Sequence, residues 1–131
     1  ERIAQARLNP EGVLFSVIED KLSYPDSHFN GGMANYVFSS IDGEEPQQRA
    51  LAEIHRVLQP DYPFIMVNNN PSATGFKFRS FQSGEPRQTY EAGQRIPVRL
   101  FRPDGTFERS EAWWPQQHYE SLIQRVPLVF D

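Results

Sequence analysis

Asn35 and Tyr36 stand in the apolar run GGMANYVF, and Asn68, Asn69 and Asn70 abruptly end a second apolar run, YPFIMV. If both runs are parallel strands, these residues lie at or near carboxyl ends, where open α/β sheets bind ligands. The amides can offer donors and acceptors to a polar heterocycle. Tandem asparagines also form turns in their own right, and Asn35 and Tyr36 could equally satisfy loop backbone and fill a core. His28, His55 and His118 are too scattered to suggest a metal site, and with no cysteine there is neither a thiolate nor a disulfide framework, so no metal is expected. The segment Phe76 to Phe81 (FKFRSF) interleaves aromatics with cations as in proteins that stack single-stranded bases. The net charge of −4 argues instead for an amphipathic edge strand or substrate lid, and against nucleic acid as a ligand. Trp113 and Trp114 either wall a pocket or anchor a hairpin to the following helix. No Ser, His and Asp grouping has a hydrolase setting, and no phosphate loop is present.

The elements that must position these residues can be read in outline. At 131 residues the chain is one domain's worth of polypeptide, and 11 prolines against 8 glycines predict many turns. The absence of cysteine, of an apolar run of about 18 residues and of a signal-peptide pattern in Glu1 to Asn9 predicts a cytoplasmic protein that does not engage a membrane. Residues Glu1 to Leu8 read as the last turns of a helix, Val13 to Ile18 (VLFSVI) as a buried strand, and Gly31 to Phe38 as a second. Pro46 to Leu58 is the clearest helix: Ala50, Leu51, Ile54, Val57 and Leu58 recur at spacings of three and four. Tyr62 to Val67 follows as a third strand, so strand, helix, strand predicts a parallel pair. Arg95 to Phe101 alternates apolar and polar residues, and Pro103-Asp104-Gly105 turns it into Thr106 to Trp113 as an antiparallel hairpin. Pro115 to Val126 closes with a helix whose face carries Tyr119, Leu122, Ile123 and Val126, and Leu128 to Phe130 begins a further strand.

Three blocks carry a resemblance: Pro25-Asp26-Ser27-His28-Phe29 before the second strand, Arg56-Val57-Leu58-Gln59-Pro60 ending the helix, and Phe64-Ile65-Met66-Val67 in the strand after it. In this order and spacing the chain resembles class I S-adenosylmethionine-dependent methyltransferases over nearly its whole length. The combination of Ala34-Asn35-Tyr36 with Asn68-Asn69-Asn70-Pro71, the hairpin and the Trp113 to Tyr119 segment looks like the branch that methylates small molecules such as toxoflavin precursors. The resemblance implies an α/β fold: a partial Rossmann-like sheet made of the family's third to fifth strands, with an appended antiparallel hairpin and a C-terminal helix. It also implies methyl transfer from S-adenosylmethionine to a small-molecule acceptor. Met33, Ala34, Asn35 and Tyr36 would contact the cofactor, with Glu19 or Asp20 near its adenine, and Tyr36, Asn68, Asn69 and Asn70 would contact the acceptor. No catalytic base is named, because methyl transfer depends chiefly on alignment.

The chain departs from the family pattern in three ways. Neither the glycine-rich turn after the family's first strand nor the acidic residue after its second occurs in these 131 residues. Residues 1–131 therefore read as a single partial domain lacking the N-terminal cofactor segment. Asp61-Tyr62-Pro63 stands where the family commonly has a double glycine, which predicts a differently shaped turn. Ile18 falls where the adenine-contacting acid belongs, displacing Glu19 and Asp20. Leaving out two strands would open a gap of about 10 Å in the family's sheet, and such edges predict a homo-oligomer or a fragment of a longer chain. The competing expectation is a non-catalytic remnant or interaction module that binds no cofactor.

Overall fold

The computed structural model describes residues 21–126. The expected helix at 1–8, the strands at 13–18 and 128–130, and the candidate ligands Glu19 and Asp20 lie outside the described residues.

The three-and-four spacing produces the first helix, α1, Glu44–Val57, which buries Gln47, Leu51 and Val57. It starts two residues before the expected Pro46, because proline is tolerated within a first turn. Glu44 and Glu45 occupy that turn and His55 and Arg56 the last one, each complementing the helix dipole. Helix α1 connects β1, Gly32–Asn35, to β2, Phe64–Val67. These strands pair in parallel with Ala34 opposite Met66, as the strand, helix, strand order predicts.

The segment before β1 and the end of α1 share backbone hydrogen bonds. The amide of Ser27 donates to the Arg56 carbonyl at 2.9 Å, and those of His28 and Phe29 donate to the Val57 carbonyl at 2.7 and 2.8 Å. Helix-end carbonyls that lack an intrahelical donor are thereby satisfied. Arg56 completes the clasp by donating to the carbonyls of Leu22 and Tyr24 and to the carboxylates of Asp26 and Glu53. Its hydrogen bond holds Glu53 at about 2, below the ordinary 4.5; burial opposes this, and the Leu22 amide and the charges of Arg56 and Lys21 support it. A carboxylate depressed in the folded state stabilises the protein above pH 4.5 and loses that contribution as pH falls toward 2. Glu53→Gln is therefore expected to flatten the dependence of the melting temperature on pH across this window. Parallel melting curves for the two proteins would contradict the clasp.

Two expectations about the parallel strands need correction. The run from Gly31 to Phe38 is not one strand: β1 ends at Asn35, Tyr36 turns into the left-handed region at φ +55, and Phe38–Ser40 forms a 3-10 turn. Phe38 leaves the sheet because its ring completes the core formed by Ala34, Leu51, Leu122 and Val126. Nor are both faces of the pair buried. Ala34, Phe64 and Met66 face that core, whereas the cross-strand partners Met33 and Ile65 are 65% and 51% exposed.

The expected hairpin is present as β4, Arg95–Arg102, and β5, Gly105–Ala112, but it belongs to a three-stranded antiparallel sheet. The additional edge strand, β3, Phe81–Ser83, pairs with β4. Of FKFRSF only Phe81 joins a strand, although Lys77 bridges back to Gln82 and its ammonium lies 5.0 Å from the centre of the Phe101 ring. Gly84, at φ +74, brings the end of β3 against the preceding loop. A Cβ there would stand 2.6 Å from Thr74 Cγ2, so any other residue would force Thr74 to shift and would be strained at this φ.

Helix α2, Gln116–Gln124, packs on α1 and places Leu122 in the core. Trp114 anchors it to the hairpin: the indole stacks on His118 at 3.9 Å between ring centres and closes over Gly93. The molecule is thus a mixed α/β domain with a parallel pair, a separate antiparallel sheet and a C-terminal helix.

Candidate functional site

Tyr36 and Asn69 leave the carboxyl ends of β1 and β2 and line one groove of about 360 Å³. The Tyr36 amide donates to the Val67 carbonyl at 2.8 Å, making the last rung of the parallel ladder before the chain turns. A left-handed tyrosine costs on the order of 1 kcal/mol, and here it leaves the residue 43% exposed toward the groove. The opposite wall is one face of the antiparallel sheet. Val98, Leu100 and Arg102 alternate along β4, with Phe81 opposite Leu100 and Arg109 opposite Val98.

On the same face of the sheet, two residues beyond Arg109, lies Glu111, 3% exposed on β5. A carboxylate so buried requires partners. One oxygen accepts from the Asn69 amide at 3.1 Å, and the other forms an ion pair with Arg109 two residues earlier on the same strand. Glu111 thereby holds two of the polar side chains of the groove, Asn69 and Arg109. After this bond the Asn69 amide keeps a second N–H and its carbonyl oxygen for a ligand.

Glu111 and Asn69 also border an inner cavity of about 20 Å³, too small for anything larger than a water molecule. Tyr119 contributes to its lining, and burial, reinforced by the Glu111 charge, pushes its phenol up to about 12. Burial likewise pushes His118 below its ordinary value, with Glu44 opposing and Arg125 reinforcing the shift.

The other candidates separate. Asn70 accepts from the Ser72 amide at 3.0 Å and caps a short 3-10 turn, Pro71–Ala73. Asn68 is half-buried and lines neither cavity. The Ala34 side chain serves the core and its backbone pairs with β2, whereas Met33 and Asn35 are exposed. Trp113 lines the inner cavity and donates to Thr74 Oγ1 at 2.9 Å.

No family model matches this chain, and no curated protein matches it.

Among the described residues no cluster of three or more His, Asp or Glu could hold a metal, and no helix is long and apolar enough to cross a membrane. Arg102, Arg109 and Glu111 escaped the sequence reading. The one available signal was the Arg109-Glu111 spacing of two, which puts opposite charges on the same face of a strand.

Proposed function

We propose that this chain carries the acceptor side of a methyl-transfer site that uses S-adenosylmethionine, with a small molecule as the methyl acceptor. The observation that carries this reading is the convergence of Tyr36 and Asn69, from the carboxyl ends of two parallel strands, on one groove. A further feature agrees with it: Asp61 adopts φ +67, a left-handed conformation at the turn where the resembled family commonly has glycine. The sequence departs from the family there, but the turn keeps the backbone conformation that glycine favours.

The residues present fit one end of such a cofactor. Asn35 and Tyr36 are exposed at the strand end, and Met33 is exposed beside them, while Ala34 has only its already paired backbone to offer. When bound, S-adenosylmethionine supplies an electrophilic methyl group on a sulfonium. The chain's own part is to hold the acceptor: the apolar wall excludes water, Asn69 accepts a hydrogen bond, and Tyr36 closes the end of the groove beside the cofactor strand. Alignment of this kind is where methyl transfer gains most of its rate.

The test is calorimetric titration of S-adenosylhomocysteine into the chain. Micromolar binding that weakens at least about tenfold in Tyr36→Ala supports the reading. Absence of heat at millimolar ligand would sink it for this chain. That outcome would favour the second reading, a methyltransferase-like interaction module, to which the exposed Met33 and Ile65 pair lends support.

A further inference from the structure

We propose that the groove selects a planar aromatic acid: a flat ring laid on the apolar face of the antiparallel sheet, with its negative charge held by Arg102. The inference rests on the acceptor-site reading only for the role of the ligand; the preference for an anion follows from the groove itself.

Size and shape suit a small flat molecule. A volume of about 360 Å³ lies in the range of small-molecule pockets. Its floor is built from Phe81, Val98 and Leu100 on adjacent strands, with Leu100 directly opposite Phe81. Neighbouring side chains on one pleated face make an apolar surface suited to a flat ring more than to a bulky aliphatic one.

Charge suits an anion. Two guanidinium groups, Arg102 and Arg109, line the groove, and none of its lining residues is acidic. Glu111 offsets one of these charges from its buried place beside the groove, through its ion pair with Arg109. Among the described residues Arg102 forms no ion pair, so the groove retains about one net positive charge. Arg109 stands opposite Val98, four residues or about 13 Å along β4 from Arg102, so the two cations flank the apolar floor and Arg102 is the one open to the acid. A charge-assisted hydrogen bond is roughly twice as strong as a neutral one, so a carboxylate should outbind the matching carboxamide.

The experiment titrates 1-naphthoate and 1-naphthamide, an acid and its neutral near-isostere, into the labelled chain, following amide shifts by NMR. Naphthoate is expected to bind about tenfold more tightly than naphthamide, to shift the amides of Tyr36, Asn69 and Phe81, and to lose its advantage at high salt. Arg102→Gln, at an exposed strand end, should leave the fold intact and remove most of the preference. Arg79→Gln, a neighbouring cation that does not line the groove, should keep it. Equal affinity for the two probes, no binding of either at millimolar concentration, or an unchanged preference in Arg102→Gln overturns the inference. The outcomes also separate the two proposals. A naphthoate preference without S-adenosylhomocysteine binding leaves the anion site standing and removes methyl transfer. S-adenosylhomocysteine binding without the preference removes only the anion site.

Discussion

Replacing Phe38 with alanine is expected to lower the unfolding free energy by about 3–5 kcal/mol. The ring is fully buried where β1, α1 and α2 meet, among Ala34, Leu51, Leu122 and Val126. These neighbours belong to three separately anchored elements, so they cannot collapse together into the space a phenyl leaves, and the cavity cost adds to the lost transfer energy. Urea unfolding checks this, with a lower midpoint and an unchanged slope. Phe107→Ala is the control: that ring is mostly exposed on β5, and its loss should change stability by no more than about 0.5 kcal/mol. Similar effects in the two variants would mean that the core is not centred on Phe38.

The second large effect is expected at Gln47, a polar residue on the buried face of α1 with 0% exposure. Its amide nitrogen donates to the Phe38 carbonyl at 2.8 Å and to the Ile41 carbonyl at 3.1 Å, while its oxygen faces the His118 ring nitrogen. One side chain thus ties the 3-10 turn after β1 to both helices. Gln47→Met keeps the volume and removes the polar groups. Phe38 retains a second donor in the Ile41 amide, but the Ile41 carbonyl and His118 lose their partners. A buried group left unpaired costs about 1–3 kcal/mol; with two groups that are only partly buried, and so toward the low end, the variant should lose roughly 2–4 kcal/mol. Amide exchange within the 3-10 turn should accelerate in step. Wild-type stability in Gln47→Met would show that the turn is held by packing alone. Because this turn follows Tyr36 directly, the same variant is expected to loosen the groove.

The candidate site was legible in part. Tyr36 and Asn69 stand out because polar residues at the ends of apolar runs are a local pattern, and a parallel strand pair places such ends on one side of the sheet. Nothing local separates Asn69 from Asn68 and Asn70. The distinction comes from Glu111, 42 residues further on, which engages the middle amide, while Asn70 turns back on its own loop. The cations were hidden for a related reason: Arg102 and Arg109 read as ordinary hairpin surface until the fold brings the hairpin and Asn69 around one groove.

The elements themselves divide along the same line. Helix α1, the parallel pairing of β1 with β2 and the β4-β5 hairpin follow from apolar periodicity and turn residues, which act over a few positions and so survive without knowledge of the rest of the chain. Three features depended on tertiary structure. β1 stops at Asn35 because the best place for the Phe38 ring is against helices distant in sequence. Only one face of the parallel pair is buried, since α1 and α2 pack on the Ala34 side and leave Met33 and Ile65 exposed. The hairpin acquires β3 because Phe81–Ser83 finds its partners across a long loop held close by glycine. Periodicity records which residues prefer to be buried, whereas the partners they are buried against are set by chain closure over long separations, which a local pattern does not encode.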